Sequence, residues 1–305
     1  MTGVTGTGRP INAMCVTPFD DRGHLDEDAL RIIVDGLATA GVGIYLGSFG
    51  SGEGHLLSEG EIARLYAVGV DAAARRAPVY AAALGFTSTS AVIDAALAAA
   101  AAGVDAVQIH PPRPGPSAIV PRPAELDRFY ADVLEAVMTP VHLTNQVVMV
   151  GYRLPIELIT DVLASYPQVT ALNTSDPDLA AVARLIRAVG SRTGVYVGVI
   201  AQLVSALAAG GAGALCFEAD VAPALCTEVI NAYQAGDPPR LEAAFERLLI
   251  LNDVLSRYQN PRSVKAAMTL LGLPAGELRR PYLALGPDEA AAIGRVLADL
   301  DLLPE

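Results

Sequence analysis

The 305-residue chain carries 33 acidic against 21 basic side chains, a net charge of −12. That balance excludes a phosphate-neutralising surface and leaves small molecules and further copies of the chain, with no nucleic acid, as expected partners. Hydrophobic residues make up 52%, enough for one large α/β domain with an appendage, yet no apolar run reaches about 18 residues, so no membrane span is predicted.

The amino terminus, M-T-G-V-T-G-T-G-R-P, lacks a basic region ahead of an apolar one and reads as a flexible tail over residues 1–10. Apolar runs of strand length then alternate with segments of helical length. Strands are predicted at Asn12–Val16, Gly43–Leu46, Val79–Ala83, Ala106–Ile109, Val141–Leu143, Thr170–Leu172, Val195–Val199 and Ala214–Phe217. Eight strands, each followed by a helix, imply parallel pairing through crossovers and a (β/α)8 TIM barrel over residues 11–235. Helix one should begin near Asp26, where acidic residues suit the helix dipole. Ser58 and Glu61 have capping-box spacing, and Gly41 and Gly103 stand where carboxyl-terminal caps fall. Pro223 opens a helix to Ala235, and Gly236–Pro239 reads as a break. Helices at Arg240–Tyr258, Val264–Leu271 and Pro287–Leu300 are too few for a large domain, so residues 236–305 are expected to pack on the barrel.

Cys15, Cys216 and Cys226 form no C-x-x-C pair, which fits reduced thiols and a cytoplasmic location. Lys265 is the only lysine, so one residue could form a lysine Schiff base.

Polar residues near the carboxyl end of an apolar barrel strand are the ones expected to face the active-site cavity. Gln108 and His110 share a face on strand four. His142 and Thr144 share one on strand five, with Asn145 beyond, and Asn173 ends strand six. Glu218 follows strand eight. It qualifies as a general acid or base if burial raises its pKa, with an ion pair to Arg113 as the bland alternative. His142 lies deep enough to be a core histidine instead. Ser51 sits in a glycine-rich loop at a helix start, which favours an anion, although the loop could equally be a tight connection. Arg113 offers a bidentate clamp for a carboxylate.

The segment G-S-F-G-S-G-E-G-H-L-L-S-E-G-E (Gly47–Glu61) resembles the second βα loop of the dihydrodipicolinate synthase and N-acetylneuraminate lyase family. V-T-P-F (Val16–Phe19), G-V-D-A-V (Gly103–Val107), D-V-A-P-A-L-C (Asp220–Cys226) and S-V-K-A-A-M-T-L-L-G-L (Ser263–Leu273) agree in order. The resemblance covers nearly the whole chain. It implies a barrel with carboxyl-terminal helices, no cofactor, a small carboxylated substrate, and a homo-oligomer, either dimer or tetramer.

The resemblance also locates departures. Where the family holds its 2-oxo acid on a lysine ending strand six, this chain has Asn173, whose delocalised amide nitrogen cannot attack a carbonyl. Thr144 stands at the family's proton-shuttling tyrosine, and a hydroxyl is too weak an acid to replace a phenol. Pro111–Pro116 replaces a tyrosine-bearing segment, and Gly50 replaces the first hydroxyl of a carboxylate-binding pair whose second member, Ser51, is kept. Glu53 matches the motif glutamate and is expected to accept backbone amides. Lys265 matches a lysine remote from the barrel mouth.

The sequence therefore points to a lyase scaffold working without a Schiff base on a 2-oxo or enolisable acid, by addition, dehydration or cyclisation. Asn173 would polarise a carbonyl, and His110 or Glu218 would move protons. Two alternatives remain: an inactive binder of a metabolite or partner, and a metal-assisted lyase or aldolase with His110, His142 and Glu218 as ligands, though no local metal-binding motif supports it.

Overall fold

Strand and helix alternate along the chain much as the hydrophobic pattern predicts. The computed structural model describes residues 8–84, 88–113 and 119–304; residues 1–7 of the expected tail and residues 114–116 of the proline-rich segment lie outside the described residues. The strands are β1 (Ile11–Ala13), β2 (Gly43–Leu46), β3 (Val79–Ala83), β4 (Ala106–Ile109), β5 (Val141–Asn145), β6 (Val169–Thr174), β7 (Gly194–Val197) and β8 (Gly213–Cys216). They form a closed barrel in chain order. Barrel strands bury both faces, one in the interior and one under helices, and every residue of β2, β3, β4, β5, β7 and β8 is buried.

The helices between strands are α1 (Glu27–Thr39), α2 (Glu59–Ala73), α3 (Thr89–Ala101), α4 (Pro123–Ala136), α5 (Val147–Val150), α6 (Ile156–Ser165), α7 (Leu179–Val189) and α8 (Leu203–Ala208). After β8 come α9 (Glu218–Val221), α10 (Pro223–Ala235), α11 (Pro238–Arg257), α12 (Arg262–Leu270) and α13 (Pro287–Asp299). No helix among the described residues is long and apolar enough to cross a membrane. The start signals read from the sequence are physical caps. Asp26 accepts the Ala29 amide at 3.0 Å, and Ser58 and Glu61 close a reciprocal capping box. Gly41 takes a φ of +75° after α1, the left-handed conformation that glycine adopts without a Cβ penalty.

Several expected boundaries move. β1 stops at Ala13 instead of Val16, because the chain turns away through Pro18 so that Phe19 can bridge Leu25 and Glu277. β5 and β6 each run two residues past their expected ends, since Thr144 pairs in register with Asn173 and Asn145 with Thr174. The polar side chains there looked like the onset of loops, yet the backbone ladder continues beneath them. β7 and β8 are each shifted towards the amino terminus, and Phe217 has already left β8 to precede α9. The break at Gly236–Pro239 shrinks to two residues, because Pro238 and Pro239 open α11, where a missing amide hydrogen costs nothing.

By contacts the chain divides into two compact units. One holds Tyr80–Leu215 with the amino-terminal residues through Pro10, and the other holds Ile11–Val79 with the chain from Cys216 onward. In the first, β4, β5, β6 and β7 pair in parallel register. In the second, β1 and β2 pair in parallel.

Candidate functional site

In the first unit, strand register decides which polar side chains meet. Thr144, Asn173 and Tyr196 align across β5, β6 and β7, so the carboxamide of Asn173 lies beside backbone of the next strand. Its Nδ2 donates to the Tyr196 carbonyl at 3.3 Å, and its Oδ1 accepts from Gln146 Nε2 at 3.2 Å. Asn173 is 3% exposed, a depth at which an unsatisfied amide would cost about 1–3 kcal/mol. His110 follows β4, and its Nδ1 stands 3.3 Å from the fully buried Thr144 hydroxyl. Burial lowers the His110 pKa to about 4, so the ring is neutral at pH 7 and can exchange hydrogen bonds or accept a proton weakly. It is not a charged acid waiting to donate.

His142 lies one residue pair deeper in β5 and packs its ring 4.6 Å from that of Tyr80; burial pushes its pKa to about 4 as well. These contacts match the core-histidine reading of that position. Asn145 spends its side-chain carbonyl on the Leu154 amide at 3.0 Å and thereby holds the chain after β5. The segment after β6 is fixed by Asp176, which receives both arms of the Arg153 guanidinium. Its backbone carbonyl accepts from Gln202 at 3.0 Å. Arg113 is exposed and lines a cavity of about 300 Å³ together with His110, Ser88, Thr89 and Phe129.

The second unit holds a buried acidic pair. Glu218 and Asp220, 1% and 3% exposed, both belong to the short α9. Glu218 Oε1 accepts from Asn252 Nδ2 at 2.5 Å, and the Cys216 thiol and the Glu218 backbone amide also hydrogen-bond the carboxylate. Burial raises the Glu218 pKa to about 7, which places it between acid and base at neutral pH. Burial, and then the charge of Glu218, drives Asp220 well above the carboxylate range. The bland expectation for Glu218, an ion pair with a loop arginine, gives way to this contact with Asn252 of α11.

The glycine-rich loop after β2 belongs to the same unit. Its hydrogen bonds turn inward: Gly52 N–H donates to Ser48 Oγ at 3.1 Å, Glu53 N–H to the Gly50 carbonyl at 3.1 Å, and Gly54 N–H to the Ser48 carbonyl at 3.1 Å. Ser51 is fully buried and donates to Asn260 Oδ1 at 2.9 Å. A Cβ on Gly50 would stand 3.2 Å from Asn260 Nδ2. These amides are spent inside the loop, which is the tight-connection reading of the segment. The Glu53 carboxylate accepts a backbone hydrogen bond from Arg279, as expected, and also meets an ammonium. Lys265 Nζ lies 2.6 Å from Glu53 and donates to the Glu277 carbonyl at 2.8 Å. Burial pushes Glu53 up and Lys265 down, and their attraction pulls both back towards the ion pair. Lys265, on α12, thus reaches the second βα loop.

Among the described residues, no group of three His, Cys, Asp or Glu side chains is placed to hold a metal ion. Sequence reasoning missed Gln146, Asp220, Asn252 and Asn260. Asp220 had a usable signal, a second acid two residues after Glu218, whereas Asn252 and Asn260 reach their partners only through the packing of distant helices.

A family model described as "Dihydrodipicolinate synthetase family" matches residues 8–300. The 4-hydroxy-tetrahydrodipicolinate synthase of Methanopyrus kandleri is 30% identical over 296 residues, covering 95% of each chain. A crystal structure of a dihydrodipicolinate synthase from Bacillus anthracis superimposes with a TM-score of 0.89 at 26% identity and full coverage of both chains. A prophage protein of the same family from E. coli K12, solved in complex with pyruvate, shares the fold with a TM-score of 0.89 at 23% identity, covering 98% of this chain and 100% of its own.

Proposed function

Because the chain belongs to the dihydrodipicolinate synthetase family, we propose that it is a lyase of that scaffold working without a covalent amine. Its substrate would be a small carboxylated 2-oxo or enolisable acid of the pyruvate type, and its reaction addition, dehydration or cyclisation. One observation carries the reading: the only lysine in the chain, Lys265, is 4% exposed and locked against Glu53, while β6 presents Asn173. A neutral carboxamide can donate a hydrogen bond to a carbonyl or to the enolate formed from it, and a fixed donor lowers the barrier wherever negative charge develops.

In the first unit, Asn173 is the proposed electrophilic group, with Thr144, its register partner on β5, hydrogen-bonded in turn to His110. In the second, Glu218 is the proposed acid or base, because a carboxyl with a pKa near 7 holds both protonation states at working pH. Arg113 supplies bidentate recognition of a carboxylate. Aldol cleavage is disfavoured, since hydrogen bonds alone would have to support the carbanion. Oligomerisation as a dimer or tetramer and a cytoplasmic location complete the proposal.

Sodium borohydride added with pyruvate should leave the protein mass unchanged, and a trapped adduct would end the non-covalent reading. Substrate profiling of Glu218→Gln, His110→Ala and Asn173→Ala separates an enzyme from a binder, because only an enzyme has a rate to lose.

A further inference from the structure

A cavity of about 230 Å³ lies within the second unit, between the loop after β2 and the turn that joins α11 to α12. None of its lining residues belongs to a barrel strand, so it is separate from the strand-end groups described above. Phe49, His55 and Tyr282 line it with aromatic rings, the first two stacked with centroids 4.9 Å and planes 20° apart. At about 30 Å³ per water molecule the space equals about eight waters, the bulk of one ring with a single substituent.

The charges at the cavity favour an anion. Glu53 lines it, but its carboxylate is matched by Lys265 at 2.6 Å. Arg262 lines it too and has no ion-pair partner among the described residues. Its Nε donates to the Leu283 carbonyl at 2.7 Å, which anchors the guanidinium and leaves its two terminal nitrogens to meet a ligand. Arg262 also opens α12, the positive end of the helix dipole, where a cation is unfavourable until an anion joins it.

The backbone around the cavity is unusual as well. Glu53 and Gln259, both lining it, take φ of +46° and +62°, left-handed conformations that side chains rarely adopt and that cluster at ligand sites. A Cβ on Gly50 would stand 3.2 Å from Asn260 Nδ2, so this glycine keeps open a gap between two lining residues.

We infer that this cavity is a binding site for a planar aromatic carboxylate of benzoate size, with its ring against Phe49, His55 and Tyr282 and its carboxylate on Arg262. A guanidinium fork matches a carboxylate bidentately, and aromatic rings gain from offset or edge contact beyond the area they bury. An aliphatic acid forgoes the ring contacts, and a neutral aromatic forgoes the fork. The ligand would also touch Asn260, whose Oδ1 accepts from Ser51 at 2.9 Å, and so pack against the residue that holds the loop after β2. The inference does not depend on the chemistry proposed at Asn173 and Glu218.

Calorimetric titration of the intact protein with sodium benzoate tests it. One saturable site with a Kd of about 1 mM or tighter is expected. Benzamide should bind about tenfold or more weaker, and cyclohexanecarboxylate about threefold or more weaker. Arg262→Met should cost benzoate about tenfold or more and leave benzamide unchanged, and Arg262→Lys should recover only part of the loss. His55→Ala probes the ring contacts without disturbing Arg262, and should weaken benzoate and benzamide alike by about threefold or more. The chain has four histidines, so imidazole ¹H–¹⁵N spectra locate the ligand. Saturating benzoate should shift His55, whereas binding at the cavity lined by His110 and Arg113 would shift His110 alone. The site is overturned by no saturable binding to wild type below about 10 mM, by equal benzoate affinities in wild type, Arg262→Met and His55→Ala, or by a shift at His110 without one at His55.

Discussion

Replacing Glu218 by Gln is expected to reverse its effect on stability across neutral pH. The folded-state pKa of Glu218 is raised by burial to about 7 from an ordinary 4.5, so the folded protein binds the proton more tightly than the unfolded chain. The stabilisation is complete below about pH 4.5, falls as pH rises, and is gone above about pH 7. A shift of this size corresponds to roughly 3 kcal/mol. Gln stays neutral throughout and keeps the bond from Asn252, but it brings a buried N–H in place of Oε2, at a cost of about 1 kcal/mol. The variant should therefore be slightly less stable than wild type at pH 5 and about 2 kcal/mol more stable at pH 9. In urea unfolding, that gain would appear as a midpoint about 1 M higher. The Glu218 charge also raises the Asp220 pKa, so the difference between the curves reports Glu218 together with its effect on Asp220. Parallel curves from pH 5 to pH 9 would refute the assignment of a buried, proton-sharing carboxyl at this position.

Lys265→Met strands the Glu53 carboxylate in a site where both partners are nearly inaccessible, and should cost about 3–5 kcal/mol, a Tm loss of about 5–8 °C for a chain of this length; adding Glu53→Gln should restore much of it, and additive losses would sink the pairing. Gly213→Ala would drive a Cβ to 1.7 Å from the Pro10 carbonyl oxygen, so thermal unfolding should show a loss above about 3 kcal/mol. Gly60→Ala, on the open face of α2 with nothing within 4 Å, should instead gain up to about 1 kcal/mol. Ser58→Ala opens the capping box and should cost about 1 kcal/mol, read as a Tm lower by about 2 °C.

The barrel was legible because its strands are continuous apolar runs and its helices carry local start and stop signals. Asp26, Ser58, Gly41 and Pro223 each act through neighbours within a few residues, so their roles can be read without knowing the fold. The ends of β5 and β6 were harder to read. Thr144, Asn145 and Asn173 are polar, and polarity in sequence does not distinguish a loop from a strand whose side chains meet a polar partner across the barrel. Candidate residues on neighbouring strands could be grouped by alternation, and His110 with Thr144 is one pair that register does bring together. The partners of Ser51, Glu53 and Glu218 come from residues 260, 265 and 252. They were beyond reach because those contacts depend on how distant helices pack.

The energetics of the two units bear on whether the chain is an enzyme or a binder. Two adjacent buried carboxyls, Glu218 and Asp220, weaken the folded state, and apolar residues of similar volume would stabilise it. A pocket kept only to hold a ligand needs donors such as Asn173, whose hydrogen bonds are met within the protein and which therefore costs little. It has no use for an acid tuned near neutrality. Glu218 is dear in stability and gives no recognition that a neutral amide could not, so its presence argues for proton transfer. The Glu218→Gln variant makes that argument quantitative. If turnover depends on this carboxyl, the change that stabilises the protein at pH 9 must also abolish its rate, and a stabilised variant with full activity would remove Glu218 from the chemistry.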